Sequence, residues 1–81
     1  MEDNRDFHFS IVRHVGVLAE AGKGWKKEVN LVSWNDRPAK LDIREWDENH
    51  AKMTRGVTLN AEETSILRDL LADPDKLFPQ H

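Results

Sequence analysis

Residues 25–34, Trp-Lys-Lys-Glu-Val-Asn-Leu-Val-Ser-Trp, and residues 39–46, Ala-Lys-Leu-Asp-Ile-Arg-Glu-Trp, decide the fold, with Asn35-Asp36-Arg37-Pro38 between them. In the first run Trp25, Val29 and Leu31 fall on one side. Lys26, Glu28, Asn30 and Trp34 fall on the other, with Val32 an apolar exception. In the second run Ala39, Leu41 and Ile43 share a side opposite Lys40, Asp42, Arg44 and Trp46. A period of two is that of a half-buried strand. The four residues between the runs have turn chemistry. The two runs therefore read as consecutive antiparallel strands.

Upstream, Ala21-Gly22-Lys23-Gly24 is a hairpin signal. From Phe7 to Ala21 the odd positions carry Phe7, Phe9, Ile11, Val15 and Val17, which predicts another strand with one buried face. Gly16 marks a bend or bulge in it. Downstream, residues 47–56 are polar and read as a loop, and Val57-Thr58-Leu59 as a short fourth strand. Asn60 with Glu63 forms a variant of the capping box at a helix start. Ile66, Leu67, Leu70 and Leu71 make the apolar stripe of that helix, and Asp73-Pro74 stops it. The expected class is α+β, a four-stranded antiparallel sheet followed by a C-terminal helix (β-β-β-β-α). Residues 1–6 are a flexible N-terminus, 7–72 the domain and 73–81 a C-terminal tail. The helix stripe is expected to cover the apolar sheet face, leaving the other face open.

Eighty-one residues make one small domain, and without cysteine it has no disulfide to staple it. Oligomerisation is a common source of the missing burial. No run approaches the roughly 20 apolar residues of a membrane span, and the start is acidic, so a soluble cytoplasmic protein with no membrane partner is expected. The net charge of −3 speaks at first against nucleic acid. Its distribution does not: residues 7–60 hold nine Lys or Arg against seven Asp or Glu, a balance of +2, between two acidic ends.

The expected open face carries His8, Ser10, His14, Lys26, Asn30, Trp34, Lys40, Arg44 and Trp46, with Lys52 and Arg55 in the loop beside it. Tryptophan near Lys and Arg is what a single-stranded nucleic-acid surface needs. Bases stack on rings for about 1–3 kcal/mol each while cations track phosphates. The same two tryptophans also suit a dimer interface or a surface covered by the tail. No phosphate loop, nucleophile elbow or metal signature is present, so neither catalysis nor a cofactor is expected. His8, His14 and His50 match no ligand spacing and read as solvated.

Leu41-Asp42-Ile43-Arg44-Glu45-Trp46, followed after the polar loop by Lys52-Met53-Thr54-Arg55-Gly56-Val57-Thr58-Leu59-Asn60-Ala61-Glu62-Glu63, resembles the positive cofactor four family of transcriptional coactivators. Members carry "IDIREYW", a basic loop, and "KGISLNPEQW" entering a helix. The region upstream looks like the short bacterial branch of that family. The resemblance spans roughly residues 7–72. It implies a homodimer paired through its helices, and curved sheets that bind single-stranded DNA with little sequence preference, in transcription or in replication and repair. By position, Arg44 matches the strand arginine, Trp46 the aromatic pair ending that strand, and Arg55 a basic position before the loop glycine. Trp34 falls near the turn aromatic. The expected binding set is Lys26, Trp34, Lys40, Arg44, Trp46, Lys52 and Arg55. Single-stranded RNA is a variant of this reading, and a protein-interaction adaptor is the competing one.

Overall fold

The computed structural model describes residues 8–78. The expected flexible segment 1–6, the strand start at Phe7, and tail residues 79–81 lie outside the described residues. Four strands, β1 (Phe9–Gly22), β2 (Trp25–Trp34), β3 (Lys40–Trp46) and β4 (Val57–Leu59), precede helix α1 (Ala61–Leu71) and a single turn, α2 (Pro74–Leu77). The sheet order is β1-β2-β3-β4, antiparallel throughout. This is the expected α+β arrangement. Among the described residues no helix is long and apolar enough to cross a membrane.

Both tight turns use backbone that few residues accept. Lys23 and Gly24 sit at φ 55° and 84°, closing β1 onto β2 below the Gly22–Trp25 pair. Asn35 and Asp36 sit at φ 52° and 65°, with the Arg37 N–H donating to the Trp34 carbonyl at 3.0 Å. Positive φ at both central residues matches hairpin twist, and Asn, Asp and Gly tolerate it best. The Asn35 side-chain oxygen also accepts from the His8 N–H at 2.8 Å, tying the chain just before β1 to this turn.

β1 departs from simple alternation. Its register on β2 slips between Ile11 and Arg13, His14 and Gly16, Val17 and Ala19, and Glu20 and Gly22. One residue is thus left over every third position, and Val12, Val15 and Leu18 are exposed at 60%, 55% and 59%. Residues opposed across a ladder share a face. Ile11, His14 and Val17 pair with Val32, Asn30 and Glu28, so they line up on one face at a spacing of three. Ser10, expected on the open face, pairs with Ser33 and falls on the helix side. Phe9, expected on the helix side, pairs with Trp34 and falls on the other. Repeated bulges bend a strand and increase its twist.

The resulting curl is strong. Phe9 pairs with Trp34 at one end of β2, and Trp46 pairs with Lys26 at the other. Eight residues of extended strand span about 26 Å. Yet the Phe9 ring lies 5.7 Å from that of Trp34 and 5.2 Å from that of Trp46. The face away from α1 is therefore concave, and it closes on itself. Val32, Trp46, Asn30 and Asp42 are fully buried there.

α1 sits on the apolar sheet face that the alternation predicts, but it does not cover that face. α1 lies over β3 and β4, on the side of Leu31, Leu41, Ile43 and Leu59. No α1 residue is buried in the single chain. Ile66, Leu70 and Leu71 remain about half exposed, at 53%, 58% and 51%. The physical reason is coverage. One eleven-residue helix cannot roof a sheet that curls away from it.

The start of α1 follows the sequence closely. The Asn60 side chain accepts from the Glu63 N–H at 2.7 Å, and the Glu63 carboxylate accepts from the Asn60 N–H at 3.0 Å. Asn60→Ala is expected to cost about 1 kcal/mol, read as a lowered urea midpoint with an unchanged slope.

Candidate nucleic-acid interface

β2 and β3 hold the concave face in register: Lys26 opposes Trp46, Glu28 opposes Arg44, Asn30 opposes Asp42 and Val32 opposes Lys40. Its centre is polar and dry. Asp42 is fully buried and accepts from Arg44 at 2.7 and 3.0 Å through Nε and at 2.7 Å through Nη2. The Arg44 side chain is 12% exposed, and its Cζ lies 4.6 Å from the centroid of the Trp34 ring. Nη1 also donates to the Thr54 carbonyl at 3.3 Å, so the guanidinium ties the loop to the sheet. Gly56 allows that approach, because a Cβ there would collide with the Ile43 carbonyl oxygen and the Arg44 Cβ.

Beside this pair runs a second polar chain. Asn30 Nδ2 donates to Glu28 Oε1 at 3.1 Å. His14 Nδ1 lies 2.8 Å from Asn30 Oδ1. His50 Nε2 lies 3.0 and 3.1 Å from the two Glu28 oxygens. These two histidines, expected to be solvated, are thus tied into the face, His50 by the buried Glu28 carboxylate and His14 by Asn30 beside it. His8 holds Asp36 at 3.0 Å at the far turn. Burial raises the Glu28 pKa, but the hydrogen bonds from Asn30 and His50 and the nearby histidines outweigh it and hold the carboxyl below its ordinary 4.5. A lowered folded pKa means that Glu28 stabilises the fold above its unfolded pKa, and that this is lost as pH falls through the folded value. The urea midpoint should therefore start to fall near pH 4.5, and Glu28→Gln should flatten that limb of the profile.

The loop itself is built around Asp47. Its carboxylate accepts from the N–H groups of Ala51 at 2.8 Å and Lys52 at 3.1 Å, and these bonds hold its pKa below the usual range. His50 takes φ 56° there, and the Trp46 ring packs 5.5 Å from the His50 ring.

The expected binding residues separate into three groups. Lys26, Lys40 and Lys52 are exposed, with Lys26 and Lys40 on the concave-face register of β2 and β3. Arg55 is exposed too, but it lines a groove with Lys27, Glu45 and Val57 on the other side of β3. Arg44, Trp34 and Trp46 form the interior of the face. Trp46 has no exposed surface, and its indole N–H has no hydrogen-bond partner among the described residues. Placing it on an open face was therefore incorrect: the curl brings Phe9 and His50 against it. Trp34 keeps partial exposure. Sequence reasoning missed Phe9 and His50 as members of this face, and it placed Glu28 on the right side without foreseeing its burial. The available signal was the pairing of polar residues two apart on one strand side, Glu28 with Asn30 and Asp42 with Arg44.

Residues 21–70 match the family of Transcriptional Coactivator p15 (PC4). The chain belongs to that family. Nearly all of β1 precedes the matched region. An uncharacterized protein of Treponema pallidum (strain Nichols) is 48% identical over 68 residues, covering 84% of this chain and 80% of that one.

Proposed function

We propose that this chain binds single-stranded DNA with little sequence preference, as a homodimer in the cytoplasm, in transcription regulation or in replication and repair. Membership of a coactivator family whose members bind nucleic acid and are not enzymes supports the class of partner. The observation that carries the site is the concave face, where a half-buried Trp34 under Arg44 shares the face with exposed Lys26 and Lys40, and exposed Lys52 lies in the loop that Arg44 ties to the sheet. Trp34 is the stacking platform, at about 1–3 kcal/mol per base. Trp46 acts beneath it by holding Phe9 in place. Arg44 keeps Trp34 and the loop in position, while the exposed lysines meet phosphate. Arg55 reaches strand that leaves the face past β4. The exposed stripe of α1 supports the dimer, since a second copy would cover it.

The test is a fluorescence titration of the full chain with oligo-dT at two salt concentrations. Quenching is expected, with affinity falling as salt rises, because phosphate contacts release counterions. Tryptophan emission unmoved by excess oligonucleotide at low salt would refute the reading. Salt-insensitive binding of a polypeptide instead would favour an adaptor, and competing oligo-U at equal strength would extend the ligand to RNA.

A further inference from the structure

We infer that His50, held by the buried carboxylate of Glu28, and His14, held by Asn30 beside it, form a proton-dependent phosphate-contact site at the mouth of the concave face. This rests on the single-stranded-DNA reading above. His14, Lys26 and His50 border a groove floored by Glu28 and Asn30. The Glu28 side chain is 5% exposed, whereas the His14 and His50 side chains are 53% and 39% exposed.

The hydrogen-bond chain fixes the tautomers. An ionised carboxylate only accepts, so His50 Nε2 must carry a hydrogen to bond Glu28. Asn30 must likewise turn its NH₂ towards Glu28, which leaves Oδ1 to accept. His14 Nδ1 must then carry a hydrogen as well. A neutral ring has one N–H, and in each case it is used inward. The outer nitrogens, His14 Nε2 and His50 Nδ1, are then bare lone pairs with no hydrogen bond among the described residues. A bare lone pair repels phosphate oxygen. Protonation turns each outer nitrogen into a charged donor without disturbing the inward bond.

Charged groups from three strands and the loop surround the pair. From β2, Glu28 and Lys26 face the pair, and from β1, Glu20 pairs with Lys26. From β3, Arg44 opposes Glu28 but is committed to Asp42. From the loop, Asp47 and Lys52 lie near His50. With neutral histidines, Glu28, Glu20 and Asp47 outnumber Lys26 and Lys52 by one. With both protonated, the balance becomes one positive charge. His14 also lies before the region that matches the family, so this half of the site belongs to the β1 of this chain.

The experiment is calorimetric titration of the full chain with oligo-dT near pH 6.5, in two buffers of different ionisation enthalpy. Proton uptake on binding is expected, with affinity roughly tenfold higher at pH 6 than at pH 8. The log-log salt slope should steepen by about 0.7 for each added contact to a single strand. The variants are His14→Asn and His50→Gln, which retain an inward N–H donor and remove the titrating nitrogen. Together they should abolish the uptake and the pH dependence. His8 and His81 remain as internal controls. Because His14 is well exposed, the His14→Asn single variant alone should lower the uptake even if the double variant folds poorly. Binding without proton uptake, or uptake unchanged in the variants, overturns the inference and leaves the DNA reading standing. No binding at any pH overturns both.

Discussion

Asp42→Ala should strip the domain of a large share of its stability at 25 °C. Asp42 is fully buried and takes its hydrogen bonds from an Arg44 side chain only 12% exposed. Removing the carboxylate strands a largely buried guanidinium over the Trp34 ring, where water cannot easily replace the lost partner. Breaking a buried pair in this way costs about 3–5 kcal/mol. A domain of this length has roughly 4–12 kcal/mol of stability in total, at about 0.05–0.15 kcal/mol per residue. The loss is therefore a large fraction of the whole. Asp42→Ala with Arg44→Met should recover much of it, because the second change removes the uncompensated charge. Urea unfolding followed by circular dichroism checks both variants. A midpoint for Asp42→Ala equal to that of the parent would show that the pair contributes nothing. The same series examines the role given to Arg44. If it mainly positions Trp34, its loss lowers stability more than the salt slope of oligonucleotide binding.

This pair also shows what the sequence made legible and what it hid. Lys26, Glu28, Asn30 and Trp34 do share one side of β2, and Asp42, Arg44 and Trp46 share that side on β3, as the alternation required. The hairpin turns and the capping box were also readable, because Gly, Asn and Asp have local conformational reasons to be where they are. Which side is buried was not readable. Polarity suggested that the face of Glu28, Asn30, Asp42 and Arg44 was the wet one. In the structure these residues satisfy one another, and a polar group satisfied by its neighbours can be buried. The decisive cause lies in β1, whose register slips at a spacing of three. Bulges leave no firm mark in a run such as Ser10-Ile11-Val12-Arg13-His14-Val15, where several alternations fit. That curl decides whether Trp46 is a stacking surface or a core residue. It also changes the meaning of the charge. Glu28 and Asp42, counted against the basic middle of the chain, are buried and engaged, so the rim is more positive than the count implied.

Leu70→Asp should turn the proposed homodimer into a monomer. Ile66, Leu70 and Leu71 form a half-exposed apolar stripe, and Val57 beside them is 49% exposed. Water against such a stripe costs free energy that a second copy of the same surface removes for both chains at once. Fully burying a leucine gives about 1.5–3 kcal/mol. In a symmetric interface every substitution acts twice. Leu70 is already nearly half buried in the single chain, so Leu70→Asp forfeits roughly 2–3 kcal/mol over the two copies and also asks two carboxylates to enter an apolar contact. At 1.4 kcal/mol per tenfold, self-association should weaken by at least about a hundredfold. Sedimentation equilibrium reads this directly, as a parent species of twice the 9.4 kDa chain mass and a variant at the single mass. Val15→Asp serves as the control, since Val15 is 55% exposed on the sheet edge and far from α1 in the strand order. It should leave the parent mass unchanged. A parent that stays at the single mass at all concentrations would refute the dimer, and dissociation caused by Val15→Asp rather than Leu70→Asp would move the interface to β1. Since α1 contacts β3 and β4 from the side opposite the concave face, the Leu70→Asp monomer should still bind a short oligonucleotide. It should lose the added affinity for a long one, because two linked faces raise the effective concentration of the second contact and one face cannot.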